Sequence, residues 1–405
     1  MMEQGTNANL QFNNNEISIV AATLGIYFMM MPFDSIPVFG MGSLLRVFVL
    51  FPFGAIIAVK FKHSVQINRL TVSYFIYCLM LTVSCFYSIN PTASFNNLKR
   101  VLLNMVIVLC IGGMYEYNED EIEFLKRSLV VGGLGTLALT LLFADTSSDG
   151  RLTLSINGNK QDQNYLNGYL FFAYVYFLIG FVKGKKIWSI VPVAGILYFT
   201  LLTGSRGALV ALAGITAVTV VLILFRDNNL KLSTVALILA AILLFIILYK
   251  PVLSLLPESV SERFSVEYIA EHGNTGRSEI WRHLIGKFKN AGLFRTLFGH
   301  GYATVVYVNE YNHLVAHNLW LDHLIMVGIV GELIFVFMQC IYVMAAWKSD
   351  DPFILGVYVG YLIMMMTLSL LSYKPIWNCM MMIMIITNYK KRQFNHSIEE
   401  GAHGL

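Results

Sequence analysis

The sequence has little charge for its length. Of its 405 residues, 13% are charged and 57% are apolar, whereas soluble domains contain about 25% charged residues. This deficit excludes an ordinary soluble enzyme, because too few polar side chains are available to face water. The 28 Lys and Arg residues exceed the 24 Asp and Glu residues by only +4, so nucleic acid is not an expected partner.

The sequence also lacks the common motifs of metal and redox sites. It contains no DxD motif, which counts against a transferase whose carboxylates hold a divalent ion against a diphosphate. Its five cysteines all fall in apolar runs and none has CxxC spacing, so we interpret them as packing residues. We therefore expect neither a metal nor any other cofactor.

Long apolar runs dominate the sequence. Spanning the hydrocarbon core of a bilayer takes about 17 to 25 mostly apolar residues, and lipid-exposed backbone must satisfy its own hydrogen bonds within helices. We therefore predict an all-α, polytopic integral membrane protein whose residues 1–405 form a single transmembrane domain. The twelve predicted spans are 17–37, 43–60, 70–88, 98–115, 122–143, 165–182, 187–203, 207–225, 232–250, 322–347, 353–372 and 375–389.

The basic residues predict the orientation, because cytoplasmic loops retain Lys and Arg. With the N-terminus inside, the cytoplasmic loops contain fourteen basic residues and the short external connections contain seven. Both termini are therefore expected in the cytoplasm. The first sixteen residues have no basic n-region, so we expect them to be retained. The seven external residues are Arg46, Lys99, Arg100, Arg151, Lys160, Arg206 and Lys374.

The longest connection covers residues 251–321, between the ninth and tenth spans, and lies outside in this topology. A structureless connection of this length is uncommon unless it is functional, so we predict an external catalytic loop. Residues 278–290 within it have the pattern of an amphipathic helix, which we expect to lie on the outer leaflet. Its apolar face consists of Ile280, Trp281, Leu284, Ile285 and Phe288.

Two arginines on the external side are candidates for binding an anion. Arg206 follows Ser205 in a polar turn between two apolar runs, and Arg277 follows a glycine at the start of the predicted amphipathic helix. An arginine at membrane depth costs about 2.5–3.5 kcal/mol on insertion scales and normally has a partner. A cation beside free backbone N–H groups suits phosphate oxygens. The alternative is that both side chains contact only lipid headgroups.

Histidines in the external loop are candidates for proton transfer. His317 lies just before the tenth span, and an imidazole with a pKa of about 6.5 can act as a general base. His313 and His317 are four residues apart, which also suits a zinc pair on a helix, although no glutamate lies between them as in HExxH. A structural, hydrogen-bonding role is the third interpretation. His300, between two glycines, is a further candidate.

Three other residues are weaker candidates. Asp162 heads the sixth span on the external side, where its carboxylate would bind sugar hydroxyls or simply cap the helix. Trp281 would stack on a sugar, although aromatic residues are common at membrane interfaces in any case. Glu332 lies inside the tenth span, and a carboxylate at that depth either has a function or pairs with another span.

The C-terminal half carries five short motifs in a fixed order. They are Ser205-Arg206-Gly207-Ala208, Gly276-Arg277 with Ile280-Trp281, Gly299-His300-Gly301, His317-Asn318 with Leu321, and Gly328-Ile329-Val330-Gly331. Over residues 165–335 this order resembles the O-antigen ligase and polymerase superfamily, and residues 162–168 are similar to a segment of its polymerase branch. The resemblance implies a fold like that of the GT-C membrane glycosyltransferases, with about 12 transmembrane helices and a long external loop between helices 9 and 10.

The resemblance also implies a reaction: metal-independent glycosyl transfer from a glycan on undecaprenyl diphosphate, at the outer face of a bacterial inner (cytoplasmic) membrane. Arg206 and Arg277 would bind the diphosphate, and His317 would activate the acceptor hydroxyl. Expected partners are a lipid-linked oligosaccharide donor and acceptor, the bilayer, a flippase and a chain-length regulator. Further substrate-binding residues are expected to be Ser205, Arg282, Asn318, Asp162, His300 and Trp281.

Three functions fit these features. We favour a Wzy-type polymerase of O antigen, capsule or exopolysaccharide, which transfers the growing glycan onto the non-reducing end of another lipid-linked repeat unit with inversion. An O-antigen ligase would use the same donor with a lipid A core acceptor. A flippase or transporter also commonly has twelve spans, but such carriers tend to have paired spans broken by Gly or Pro, and we find no such pair in the sequence.

Overall fold

Helices make up most of this computed structural model, which describes residues 17–35, 45–60, 66–156, 158–184, 186–226, 251–265, 267–268 and 276–403. Within these ranges, six helices are long and apolar enough to cross a membrane: Arg69–Phe86, Pro91–Ile111, Glu119–Leu142, Gln163–Val182, Arg206–Leu224 and Leu319–Lys348. Shorter apolar helices are Ile19–Met29, Leu50–Val59, Ile187–Leu202 and Pro352–Met365. The prediction of an all-α, polytopic membrane protein is confirmed.

The helices of the first half follow the predicted spans. They are α1 (Ile19–Met29), α2 (Leu45–Phe48), α3 (Leu50–Lys60), α4 (Arg69–Phe86), α5 (Pro91–Val106), α6 (Glu119–Leu142), α7 (Gln163–Val182), α8 (Ile190–Leu202) and α9 (Arg206–Arg226). Short 3-10 helices cover Met31–Ser35 and Ile187–Ser189, and a π-helical turn, Ile107–Ile111, extends α5. The ninth predicted span, residues 232–250, lies outside the described residues.

Polar caps decide where these helices begin. The Asn90 side chain accepts a hydrogen bond from the backbone N–H of Ala93 at 3.0 Å, and Pro91 occupies the first helical position. Both features favour a helix start. The predicted fourth span began at residue 98, because hydropathy marks the apolar run whereas the cap sets the helix end. Asn118 caps α6 in the same way, with Glu121 completing a capping box.

A small antiparallel sheet precedes α7, in a segment for which the sequence predicted only a polar external connection. Its strands, in the order β1-β2-β3, are β1 (Ala144–Thr146), β2 (Leu152–Ile156) and β3 (Asn159–Lys160). The backbone N–H of Ser147 donates to the carbonyl of Arg151 at 2.9 Å, which closes the turn between β1 and β2. The sheet therefore fixes the positions of the charged residues in that turn.

The second half contains α10 (Glu258–Ser261), α11 (Arg277–Lys289), α12 (Gly292–Phe298), α13 (Val305–Val308), α14 (Leu319–Lys348), α15 (Pro352–Met365) and α16 (Lys374–His403), with a 3-10 helix at Glu262–Phe264. The amphipathic helix predicted at residues 278–290 corresponds to α11. On its apolar face, Ile280 and Leu284 are buried in the core of the protein. The expectation that this face lies on lipid is therefore wrong at these two positions, because protein covers them.

Helix α14 is broken at Gly328, which has φ 67° and ψ −170°. A Cβ at this position would lie 2.4 Å from the backbone of Leu297, at the end of α12, so only glycine permits this close approach. Glu332 lies beyond the break and accepts a hydrogen bond from, or ion-pairs with, Nδ1 of the buried His323 at 2.9 Å. Among the described residues, Glu332 therefore pairs within its own helix.

One end of the bundle brings together the first turns of α7, α9 and α14. Asn167 of α7 donates to the Thr203 hydroxyl before α9 at 2.9 Å, and the Tyr165 hydroxyl donates to the Ser369 carbonyl after α15 at 3.0 Å. The Ser369 hydroxyl in turn donates to Asp322 of α14. This end of the bundle, which the predicted topology puts outside, carries the candidate site.

Candidate active site

The turn before α9 presents Arg206 at the first position of that helix. Gly204 in this turn has φ 60°, a conformation that other residues rarely adopt. A Cβ on Gly204 would lie 2.7 Å from Cδ of Arg151 and 3.4 Å from Cδ of Arg263. Glycine therefore lets two further arginine side chains pack directly against the turn that holds Arg206.

Asp149 holds these two arginines in place. Its Oδ2 accepts hydrogen bonds from Arg151 Nε at 2.7 Å and from Arg263 Nη1 at 3.1 Å, and its Oδ1 accepts one from the Ser147 hydroxyl. Burial alone would raise the pKa of Asp149, but the Ser147 hydroxyl and the two guanidinium groups together lower it below its usual value. The carboxylate is therefore a fixed anion between two cations.

Arg277 is the first residue of α11 and is half-buried. Burial lowers its pKa; Asp162 opposes that shift, and Arg206, Arg151 and Arg263 add to it. Each of these charged groups is thus close enough to act on Arg277. As at other helix N-termini, the backbone N–H groups in the first turn of α11 have no partner within the helix and can bind an anion.

Four arginines therefore share one region, and we call Arg151, Arg206, Arg263 and Arg277 the arginine cluster. Burial and the neighbouring Arg151 both lower the pKa of Arg263, with Arg206 adding a smaller effect. Among the described residues, Asp149 acts on Arg151 and Arg263, and Asp162 acts on Arg277. Several guanidinium groups in one region suit an anion with several oxygens, such as a diphosphate.

His317 is held at the entrance to α14 by contacts on both sides. Its own φ is 51°, a left-handed conformation that histidine tolerates better than most residues. The backbone N–H of Ala316 donates to Asp322 at 2.7 Å, and its carbonyl accepts a hydrogen bond from the Trp281 indole at 2.8 Å. On the other side, Asn318 caps α14 by accepting from Leu321 N–H at 3.2 Å. These contacts hold the backbone on both sides of His317.

The imidazole of His317 has the electrostatic setting of a base. Burial lowers its pKa, Arg277 lowers it further, and Asp162 raises it. The ring is therefore neutral at neutral pH, as a general base must be. Its Nδ1 is buried, and it has no hydrogen-bond partner among the residues that the structure describes. The structure thus brings His317, Arg277, Arg206 and Asp162 together, as their electrostatic coupling requires.

Other predicted residues act on the site indirectly. Trp281 and Asn318 position the His317 loop through the hydrogen bonds given above. Ser205 is buried, and its hydroxyl accepts a hydrogen bond from Ala208 N–H at 3.4 Å, as a helix cap does. Asp162 also caps a helix, because it accepts from Asn164 N–H at 2.8 Å at the start of α7. Capping and proximity to Arg277 are compatible for Asp162, since its side chain is exposed.

His300 and Arg282 have different surroundings. The ring Nδ1 of His300 lies 3.1 Å from the Ile325 carbonyl, and its own carbonyl accepts from Ile89 N–H at 2.9 Å. Burial lowers the pKa of His300, with Arg295 adding to the effect. His300 therefore joins the end of α12 to α14, in contact with groups outside the arginine cluster. Arg282 is exposed on α11.

Sequence reasoning missed Arg151, Asp149, Arg263 and Asp322 as site residues. Arg151 was noted only as a basic residue of an external connection, and Arg263 lies in the long predicted loop. The turn-forming residues around Asp149 indicated a turn but no partner for its carboxylate. For Asp322, the available signal was that an acidic residue in the first turn of an apolar helix is energetically unfavourable at the edge of a membrane span.

A zinc ion bound by His313 and His317 would need further ligands. His313 is exposed, and its Nδ1 lies 3.3 Å from the Val306 carbonyl. Within the ranges that the structure describes, no group of three or more His, Cys, Asp or Glu side chains is placed to hold a metal ion. The two histidines therefore have separate environments.

Comparison with known families agrees with this geometry. Residues 191–336 match the family model Wzy_C, described as O-antigen ligase. This segment, which is about a third of the chain, is similar to the O-antigen ligase family. The resemblance noted from the five motifs is thereby confirmed, and no curated protein matches the sequence. The match supports a relationship of residues 191–336 to the O-antigen ligase and polymerase superfamily.

The O-antigen ligase family segment contains part of the site. Arg206, Arg263, Arg277 and His317 lie inside residues 191–336, whereas Arg151 and Asp162 precede the segment. Arg151, in the turn between β1 and β2, and Asp162, at the start of α7, therefore belong to the site although they lie outside the matched segment.

Proposed function

We propose that this protein is a Wzy-type polysaccharide polymerase, which transfers a glycan from undecaprenyl diphosphate onto the non-reducing end of another lipid-linked repeat unit. The observation that carries the proposal is the arginine cluster beside a neutral His317, whose neighbours in the chain are held by hydrogen bonds. A diphosphate leaving group requires cations, and an acceptor hydroxyl requires a base. Both are present within electrostatic range of each other.

The proposed reaction is a direct displacement at the anomeric carbon. The oxygen of the acceptor hydroxyl forms the new bond to this carbon as the bond from carbon to the diphosphate oxygen breaks. The hydroxyl proton passes to the His317 imidazole. Negative charge that develops on the departing undecaprenyl diphosphate is stabilised by the preorganised guanidinium groups of Arg206 and Arg277. Attack from the face opposite the leaving group inverts the anomeric centre.

Arg151 and Arg263 have a supporting role in this proposal. Asp149 binds both, so their charges are partly balanced before a substrate arrives. Arg206 and Arg277 approach the site from two different helices, α9 and α11. We assign the direct contacts with the diphosphate to Arg206 and Arg277, because the diphosphate-binding motifs of the family that the sequence resembles map onto these two residues. We assign the orientation of the turn before α9 to the pair with Asp149.

The test is a comparison of two histidine variants. His317→Ala is expected to slow glycan extension by about 100-fold or more, because positioned general bases contribute about 10²–10⁴-fold. The measurement is the ladder of products that the purified protein forms from a synthetic undecaprenyl-diphosphate repeat unit. His313→Ala, which removes an exposed histidine of the same loop, is the matched control and is expected to retain the full ladder. A full ladder from His317→Ala would refute the mechanism.

A ligase is the second candidate, because the matched family is described as O-antigen ligase. The same donor and the same three residues would serve it, with a lipid A core as acceptor. We favour the polymerase because Asp162, in the segment that resembles the polymerase branch, acts on both Arg277 and His317. Product that forms only when a lipid A core is added would identify a ligase, and movement of lipid-linked glycan across vesicles without any new bond would identify a flippase.

A further inference from the structure

A second basic cavity lies at the same end of the bundle as the arginine cluster. It has a volume of about 310 Å³ and is lined by Asp34, Lys99, Arg100, Asn104, Ser372 and Lys374, among others. These residues come from the 3-10 helix after α1, from α5 and from the start of α16. Three cations and one carboxylate thus face one cavity.

The charges in this cavity are not balanced. Asp34 forms a salt bridge with Lys374 and also accepts a hydrogen bond from the Tyr169 hydroxyl at 3.0 Å. Among the described residues, no carboxylate forms a salt bridge with Lys99 or Arg100, and both side chains are exposed. The cavity therefore keeps an excess of positive charge and suits a phosphate or diphosphate group.

Buried tyrosines separate this cavity from the candidate active site. The ring centroid of Tyr373 lies 5.2 Å from that of Tyr169, which contacts Asp34, and 5.5 Å from that of Tyr165. Tyr165 lies close enough to Arg277 and Asp162 to feel their charges. The cavity and the arginine cluster are thus two distinct cationic regions, joined through one layer of aromatic side chains.

The chemistry of polymerisation explains why two such regions are needed. In the donor, the bond that breaks is attached to the diphosphate, so the donor diphosphate must lie beside His317. In the acceptor, the reacting hydroxyl is at the non-reducing end, one repeat unit away from its diphosphate. An acceptor diphosphate must therefore lie on the same face of the protein but away from the base.

We propose that the cavity formed by Lys99, Arg100 and Lys374 binds the diphosphate of the acceptor repeat unit. This inference rests on the proposed polymerase function and adds the position of its second substrate. Leu103 also lines the cavity and is 38% exposed. The neighbouring apolar side chains Leu102 and Val106 of α5 are exposed as well. This apolar exit gives the lipid chain of the acceptor a path into the bilayer.

The experiment separates the two substrates chemically. A donor whose acceptor hydroxyl is replaced by hydrogen is mixed with an acceptor whose sugar is joined to its diphosphate through a non-hydrolysable carbon linkage, so that a single transfer occurs. The double variant Lys99→Gln/Arg100→Gln is expected to raise the KM for the acceptor by about tenfold or more, because the loss of even one charge-assisted contact weakens binding by about tenfold. Its KM for the donor is expected to be unchanged.

Two controls make the result specific. Lys289→Gln removes an exposed cation from the last turn of α11 and is expected to change neither KM. Arg277→Gln is expected to raise the KM for the donor and not that for the acceptor. An unchanged acceptor KM in the double variant, or a rise in its donor KM instead, would overturn the inference. If the unmodified protein forms no product from the two analogues, the proposed function itself fails.

Competition distinguishes the source of the phosphate. An uncleavable undecaprenyl diphosphate is expected to inhibit competitively against both the donor and the acceptor. The double variant is expected to lose the competition with the acceptor and to keep the competition with the donor. Phosphatidylglycerol in the vesicles and inorganic diphosphate in solution are expected to inhibit far less. Equal inhibition by phosphatidylglycerol would identify a general headgroup site, and equal inhibition by inorganic diphosphate a free-anion site; either result would refute the assignment to the acceptor.

Discussion

At the scale of single residues, burial and two charged neighbours, Arg277 and Asp162, set the protonation state of His317. Burial and Arg277 both lower its pKa, and Asp162 raises it. A general base works only when deprotonated, so activity rises with pH through the pKa of His317 and levels off above it. Because the net shift is downward, the acidic limb of the pH–rate profile is expected below the ordinary histidine range.

Replacing Asp162 tests this electrostatic balance. Asp162→Asn removes the charge that raises the pKa of His317, so the acidic limb of kcat/KM is expected to move to lower pH. Asparagine is also a good helix cap, so the start of α7 is expected to be preserved. Asp145→Asn, which removes a carboxylate paired with Lys160, serves as the control and is expected to leave the profile unchanged. A shift to higher pH in Asp162→Asn would contradict the arrangement.

Replacing Arg277 is expected to act in the opposite direction. Arg277→Gln removes a cation that lowers the pKa of His317, so the imidazole is expected to titrate at higher pH. Because the same change weakens donor binding, the measurement is NMR of labelled histidine in the protein without substrate. Arg282→Gln, an exposed residue of the same helix, is the control. Identical titrations in the Arg277 and Arg282 variants would show that Arg277 is not close to His317.

At the scale of elements, the break in α14 controls how the external loop meets the bundle. The break at Gly328 lets the end of α12 pack against α14, and His300 follows α12 with both backbone and ring contacts to Ile325. The first part of α14 carries Asp322, which fixes the His317 loop through Ala316. The shape of one helix therefore links the loop, the histidine and the transmembrane bundle.

Substituting Gly328 is expected to destabilise this junction. Gly328→Ala places a Cβ 2.4 Å from the Leu297 backbone at φ 67°, and backbone strain of this kind costs about 1–3 kcal/mol. The apparent Tm in detergent is expected to fall by several degrees. Gly286→Ala, in α11 with no atom within 4 Å of the new Cβ, is expected to leave Tm unchanged or raise it slightly. Equal Tm values for both variants would contradict the close packing at Gly328.

At the scale of the whole molecule, the predicted topology puts the arginine cluster, His317 and the second basic cavity on one side of the membrane. The distribution of Lys and Arg supports this orientation, and lipid-linked glycans would have to approach from that side. The orientation therefore decides whether the proposed reaction is accessible to its substrates.

Cysteine labelling tests the orientation. In a variant whose five cysteines are replaced, Ser278→Cys on α11 is expected to react with a membrane-impermeant maleimide in intact spheroplasts. Ser397→Cys on α16 is expected to react only after permeabilisation, because the C-terminus is predicted to be cytoplasmic. Both positions are exposed in the structure, so a difference reports sidedness rather than burial. The reverse pattern would invert the topology and exclude an external active site.

Much of the architecture and part of the site were determined by the sequence itself. Hydropathy and charge are sums over short runs of chain, so they predicted apolar membrane spans, a long loop and an orientation without any knowledge of packing. Arg206, Arg277 and His317 were recognisable because each lies in a local motif with an unusual chemistry for a membrane boundary. These features depend on near neighbours in the chain.

Only the tertiary structure decided how distant groups combine. Arg151 joins Arg263 because both bind Asp149, and both pack against Gly204, although these residues lie far apart in sequence. Trp281 supports the His317 loop, because its indole N–H donates to the Ala316 carbonyl. Such roles arise where helix ends converge, and no local pattern encodes that convergence. The sequence therefore specified which residues are chemically able, and the fold specified which of them act together.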